Sequence, residues 1–207
     1  MCGIWQVLAG LALIIGFAHP AMSDALDDHF RRCAGDNPDI AIASCTAAVQ
    51  SGQLNTYGLS VNFYNRGRAF HSKGQHDRAI QDYDQAIRLD ANYALAFNGR
   101  GTAYSDKGQY DRAIQDYNQA IRLKPNDAGA FGNRGLAYLK LGQVAAAKAD
   151  YTRAVELSPK SAFLRYGRGV AEMRLSDPIS GRQDIKDALH LDPTIADEYR
   201  RLGVPPP

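Results

Sequence analysis

A 34-residue periodicity constrains this chain more than any other feature. The segments QHDRAIQDYDQAIRLDA, from Gln75 to Ala91, and QYDRAIQDYNQAIRLKP, from Gln109 to Pro125, lie 34 residues apart and agree at 13 of 17 positions. The spacing continues through Gly67, Gly101, Gly135 and Gly169, through Gly74, Gly108 and Gly142, and through Tyr83, Tyr117 and Tyr151. The columns Phe70, Tyr104, Tyr138; Ala79, Ala113, Ala147; Ala86, Ala120, Ala154, Ala188; and Pro125, Pro159, Pro193 keep the same phase. Such a chain is a row of similar supersecondary units, each burying its apolar face on its neighbour.

Within a unit, apolar and small residues recur three and four apart on both sides of a central Gly, which predicts two amphipathic helices. In the unit beginning at Ala94 the helices are expected near Ala94 to Lys107 and Asp111 to Leu123, with Gly108 between them. Lys124-Pro125-Asn126 stops the second, because Pro lacks the amide and disfavours helix in the residue before it.

These residues resemble the tetratricopeptide repeat, whose pattern has Gly at position 8, Tyr at 11, Ala at 20, an aromatic at 24, Ala at 27 and Pro at 32. The resemblance implies an all-α, right-handed superhelical solenoid of antiparallel helix hairpins, with units 60–93, 94–127, 128–161 and 162–195. The fourth departs from the pattern with Glu172 and Gly181. Ahead of it, residues 24–59 read as a degenerate hairpin: Asp39 to Val49 parallels Asp77 to Ile87, with Cys45 in the aromatic column and a partner helix near Leu26 to Cys33. At the other end, within 196–207, a polar capping helix near Ile195 to Leu202 is expected before Pro205-Pro206-Pro207.

From Ile4 to Ala18 the chain is uncharged and largely apolar, and Ala21-Met22-Ser23 precedes a run of aspartates. That block is short for a bilayer span and suits a cleaved signal peptide over residues 1–23; the alternative is a retained membrane anchor. Export would place the protein in the periplasm if the source is a Gram-negative bacterium. It would also leave Cys33 and Cys45 as the only thiols, an even pair that points to a disulfide in an oxidising compartment. Two buried free cysteines are the alternative.

Where the family pattern has an apolar residue at position 7, this sequence has Arg66, Arg100, Arg134 and Arg168, and at position 23 it has Asp82, Asp116, Asp150 and Asp184. Structural Arg–Asp pairing is expected, since a partly buried guanidinium needs a counter-charge. An acidic ligand on the Arg ladder is the competing reading.

By resemblance, ligands lie in the concave groove lined by first helices. The groove candidates are Tyr64, Arg68, Asn98, Thr102, Asn133, Leu136, Tyr166, Val170 and Met173, with Tyr64, Arg68 and Tyr166 as anchors, because Tyr and Arg are enriched at interface hot spots. This mixed surface suits a peptide or protein segment. A clamp for a C-terminal carboxylate is disfavoured by Gly99 between Asn65 and Asn133, and by Val61, Leu95 and Gly129 where that clamp has Lys. With 24 Lys+Arg against 22 Asp+Glu and no long run of like charge, no nucleic-acid partner is expected.

Nor is a catalytic site, cofactor or metal expected. No G-x-S-x-G turn or phosphate-binding loop occurs, and His71 and His76 are five apart across a helix end, unlike the i, i+4 pair of a helical zinc site, with no Cys or acidic cluster to complete four ligands. The expected function is a non-enzymatic interaction module or scaffold for a protein or peptide. The alternatives are an inner-membrane-anchored assembly or secretion factor, in contact with a membrane only if the N-terminal segment is retained, or a self-associating scaffold.

Overall fold

The computed structural model describes residues 31–175 and 178–206; the expected signal segment and most of the helix near Leu26 to Cys33 lie outside the described residues. Residues 31–33 are helical. There follow α1 (Pro38–Gln50), α2 (Thr56–Ser72), α3 (His76–Leu89), α4 (Ala94–Asp106), α5 (Tyr110–Leu123), α6 (Ala128–Lys140), α7 (Val144–Leu157), α8 (Ala162–Arg174), α9 (Pro178–Leu191) and α10 (Ile195–Arg201). Among the described residues no helix is long and apolar enough to cross a membrane.

Local chemistry sets the breaks. Gly74, Gly108 and Gly142 take φ of 69°, 72° and 72°, a left-handed conformation that only Gly adopts without steric cost. Each lets the next amide fold back: Gln75, Gln109 and Gln143 donate to the carbonyls of Phe70, Tyr104 and Tyr138, the Schellman closure of a helix end. At the starts, Asn37, Asn55, Asp127 and Ser161 accept backbone amides as N-caps of α1, α2, α6 and α8.

The helices pack as antiparallel pairs: α2 on α3, α4 on α5, α6 on α7, α8 on α9, with each second helix also touching the next first helix. Consecutive first helices, α2 with α4, α4 with α6 and α6 with α8, touch one another, whereas consecutive second helices do not. The stack therefore curves with the first helices on its inner side.

Three tyrosines fill the space between hairpins. Tyr83, Tyr117 and Tyr151 are 2%, 1% and 0% exposed. Tyr83 lies between Gly67 of its own unit and Gly99 of the next; a methyl added at either would come within 2.9 Å or 2.8 Å of its ring. Glycine there is a packing requirement, because interiors have no slack for an added carbon.

The Arg and Asp columns meet inside each hairpin. Arg66 donates to both Asp82 oxygens at 2.7 and 2.8 Å, Arg100 to Asp116 at 2.8 and 2.6 Å, Arg134 to Asp150 at 2.7 and 2.6 Å, and Arg168 to Asp184 at 2.5 and 2.8 Å. The aspartates are buried, so the forked hydrogen bonds compensate a carboxylate that could not otherwise leave water. The hydrogen bonds that Arg134 donates to Asp150 raise its pKa. The remaining nitrogen reaches the preceding unit: Nη1 of Arg66, Arg100 and Arg134 donates to Thr46, Asp84 and Asn118 at 3.1, 2.5 and 2.6 Å.

The ends are finished differently. Cys33 and Cys45 form a buried disulfide that ties the first described turn to α1. The helix α10 is less polar than the sequence suggests: Ile195 and Tyr199 are 1% and 0% exposed and, with Val204, join the C-terminal core. They lie four apart, on one face of the helix.

Candidate interaction groove

The inner face is open along α2, α4 and α6. At its N-terminal end, Tyr64 sits with its ring centroid 5.1 Å from that of Tyr93 and 6.0 Å from that of Tyr83. The exposed Arg68 guanidinium lies 6.0 Å from the Tyr64 ring centre. Burial raises the Tyr64 pKa and pushes that of Tyr93 up to about 12, so both phenols stay protonated at neutral pH and can donate hydrogen bonds. Beside them is a pocket of about 260 Å³, lined by Asp36, Asn65, Arg68, His71 and Tyr83 among others. Further along, Asn133 Nδ2 donates to Asn98 Oδ1 at 3.1 Å, and Thr102 Oγ1 donates to the Asn98 carbonyl at 3.0 Å. That arrangement leaves amide groups and an arginine as the polar features of a groove with aromatic walls.

The C-terminal part of the groove differs from the expectation. Tyr166 and Val170, expected at a ligand surface, are 1% and 0% exposed. The helix α10 occupies that place: the Tyr199 ring centroid lies 4.8 Å from that of Tyr166 and 4.9 Å from that of Phe163, and its hydroxyl donates to the Phe163 carbonyl at 2.8 Å. Tyr166 is therefore a core residue, not an anchor. Leu136 packs against the same core, and Met173 is half-buried beside Ile185 and Leu189 in a second pocket of about 560 Å³.

The four arginines of the Arg column are not presented to a ligand, since each is forked onto its Asp on the second helix of its own hairpin. The two histidines are also placed differently from the expectation that no acidic group joins them. Asp106, one repeat away, brings Oδ2 to 2.7 Å from His71 Nε2, and one ligand atom from each of His71, His76 and Asp106 lies within 4.8 Å of the others. Positions 12 and 13 of adjacent units meet here, as positions 5 and 6 do in Asn98 and Asn133, so a separation of 35 residues marks neighbours across the groove.

Comparisons with known proteins agree with this architecture. A TPR repeat model matches residues 67–108 and 101–142, and a tetratricopeptide repeat model matches 128–161. Among solved structures, MamA 41-end from Desulfovibrio magneticus RS-1 is 20% identical with a TM-score of 0.69, covering 83% of this chain and 97% of that one. A thermophilic TPR protein of Thermus thermophilus is 18% identical, with a TM-score of 0.65 and coverage of 87% and 96%. The first TPR of Spaghetti, bound to the HSP90 peptide SRMEEVD, is 24% identical with a TM-score of 0.57, covering 58% of this chain and 95% of that one. No curated protein sequence matches the chain.

Proposed function

Starting from an all-α protein of stacked tetratricopeptide repeats, we propose that it is a non-enzymatic interaction module that holds a peptide or protein segment along α2, α4 and α6. The observation that carries this reading is the open half-groove itself. Tyr64, Arg68, Asn98, Thr102 and Asn133 present aromatic faces, one exposed guanidinium and side-chain amides on one inner surface, the mixture that fixes an extended chain by backbone and carboxylate contacts. The Spaghetti complex supports peptide binding as a use of the fold. Because α10 fills the place over Tyr166, the ligand segment stops short of α8 and is accordingly brief. The apolar Ile4 to Ala18 segment and the Cys33–Cys45 bridge support an exported protein acting in an oxidising compartment, the periplasm of a Gram-negative source.

Selection from a displayed peptide library tests the groove. Peptides enriched on the intact protein are expected to lose at least about tenfold in affinity for an Arg68→Ala/Asn98→Ala/Asn133→Ala variant of unchanged helicity, the loss of one or two hot spots. Equal binding to both proteins would remove the groove from the proposal.

A further inference from the structure

We infer that His71, His76 and Asp106 form a binding site for a divalent transition-metal ion of the zinc type, which ties the first repeat to the second. His71 is in the last turn of α2, His76 is the first residue of α3, and Asp106 is the last residue of α4. Three helices that meet at one corner of the stack thus each bring one donor, all within 4.8 Å of one another.

The donor geometry is close to what such an ion needs. Metal–ligand bonds of about 2.0 to 2.2 Å in tetrahedral array place ligand atoms about 3.3 to 3.6 Å apart. The His71–Asp106 contact, at 2.7 Å, is shorter than that, and the outer bound of 4.8 Å is longer. Small rotations bring the set into range, and the side chains have room for them: His71 and Asp106 are 27% and 36% exposed. The His76 ring lies edge-on to His71 with centroids 5.3 Å apart, and its Nδ1 is buried with no hydrogen-bond partner among the described residues. A buried polar atom without a partner carries a desolvation cost that a bound ion removes.

The surrounding charges leave the site free for a cation. Lys73 and Lys107, the neighbouring ammonium groups, are paired with Asp39 and Asp77. Arg68, which lines the same pocket as His71, has its guanidinium carbon 6.0 Å from the Tyr64 ring centre. The same corner one repeat later has Ser105, Tyr110 and Lys140 in the corresponding columns, and the Lys140 ammonium lies 5.9 Å from the Tyr110 ring centre. There the protein supplies its own cation; at the first corner it supplies donors.

Two imidazoles and one carboxylate favour zinc, copper or nickel over magnesium and calcium, whose shells are built from oxygen. The ion takes the place of the hydrogen between His71 Nε2 and Asp106 Oδ2. Three protein donors would leave the fourth tetrahedral position to water.

The test is calorimetric titration of the full chain, free of any histidine tag and stripped with chelator, with zinc chloride. One zinc per chain is expected, with affinity reduced at least about tenfold in His71→Ala/His76→Ala, unchanged in His190→Ala, and restored in Asp106→His after loss in Asp106→Asn. Circular dichroism of each variant establishes that it is folded, and a thermal midpoint that rises with zinc in the wild type, His190→Ala and Asp106→His, but not in the variants that lose binding, supports the clamp. Absence of zinc binding by the wild type, or equal affinity in the folded double variant, would overturn the site.

Discussion

At the N-terminal end of the stack, a disulfide between Cys33 and Cys45 closes a short loop beside the small buried residues Ala41 and Ala48; at the C-terminal end, Ile195, Tyr199 and Val204 fill the space with apolar volume. Both ends face the same problem, since among the described residues neither has a further repeat to cover its apolar face. The bridge acts chiefly on the unfolded chain and occupies almost no surface, so the groove beside it stays open. The tyrosine plug acts on the folded chain and consumes groove, burying Tyr166 and Val170. Where a solenoid remains available to ligands thus depends on how its ends are sealed as well as on its repeats.

The comparison can be broken most forcefully at the plug. Tyr199→Ala is expected to cost about 3 to 5 kcal/mol, the range for deleting a buried aromatic ring, and to speed amide exchange in α8 and α10 while α1 to α3 keep their protection. An equal loss of protection at both ends would show that they are not independent. Next comes Cys33→Ser/Cys45→Ser, or reduction, with about 3 kcal/mol lost on the loop-entropy model and faster exchange confined to α1 and α2. Denaturant melts of the two variants measure both costs.

In the middle, beyond the reach of either seal, a double-mutant cycle on Arg134 and Asp150 should give a coupling of about 2 kcal/mol, within the range for groups in direct contact. Strictly additive losses would mean that the forked pair contributes nothing specific. The smallest effect is expected from Tyr199→Phe, which keeps the ring and removes the hydrogen bond to the Phe163 carbonyl: about 1 kcal/mol, read as a shift in the urea midpoint.

The columns visible in the sequence correspond to contacts made inside one hairpin. Tyr83 against Gly67, Arg134 on Asp150, and the left-handed turn at Gly108 all follow from local periodicity, because helix phase fixes which positions of a hairpin face each other. Contacts between units were harder to read. His71 with Asp106 and Asn98 with Asn133 join different columns, one repeat plus one residue apart, so aligning like with like conceals them. The fate of Tyr166 was hidden for another reason. Periodicity places it on the inner face, but whether that face is covered depends on α10, a segment outside the recognised repeats whose charged residues masked Ile195 and Tyr199.

The third nitrogen of Arg66, Arg100 and Arg134, reaching a side-chain oxygen of Thr46, Asp84 or Asn118 in the preceding unit, gives three successive joints a polar contact of one kind. A joint that recurs in kind makes the protein modular: a duplicated 94–127 segment would arrive with both of its mating surfaces already cut, whereas a duplication one residue short would shift the register at its own joint, parting Nη1 from its acceptor in the preceding unit while each forked Arg–Asp pair, lying inside one hairpin, stays intact. Length, in such a design, is a freely adjustable dimension, and phase is not.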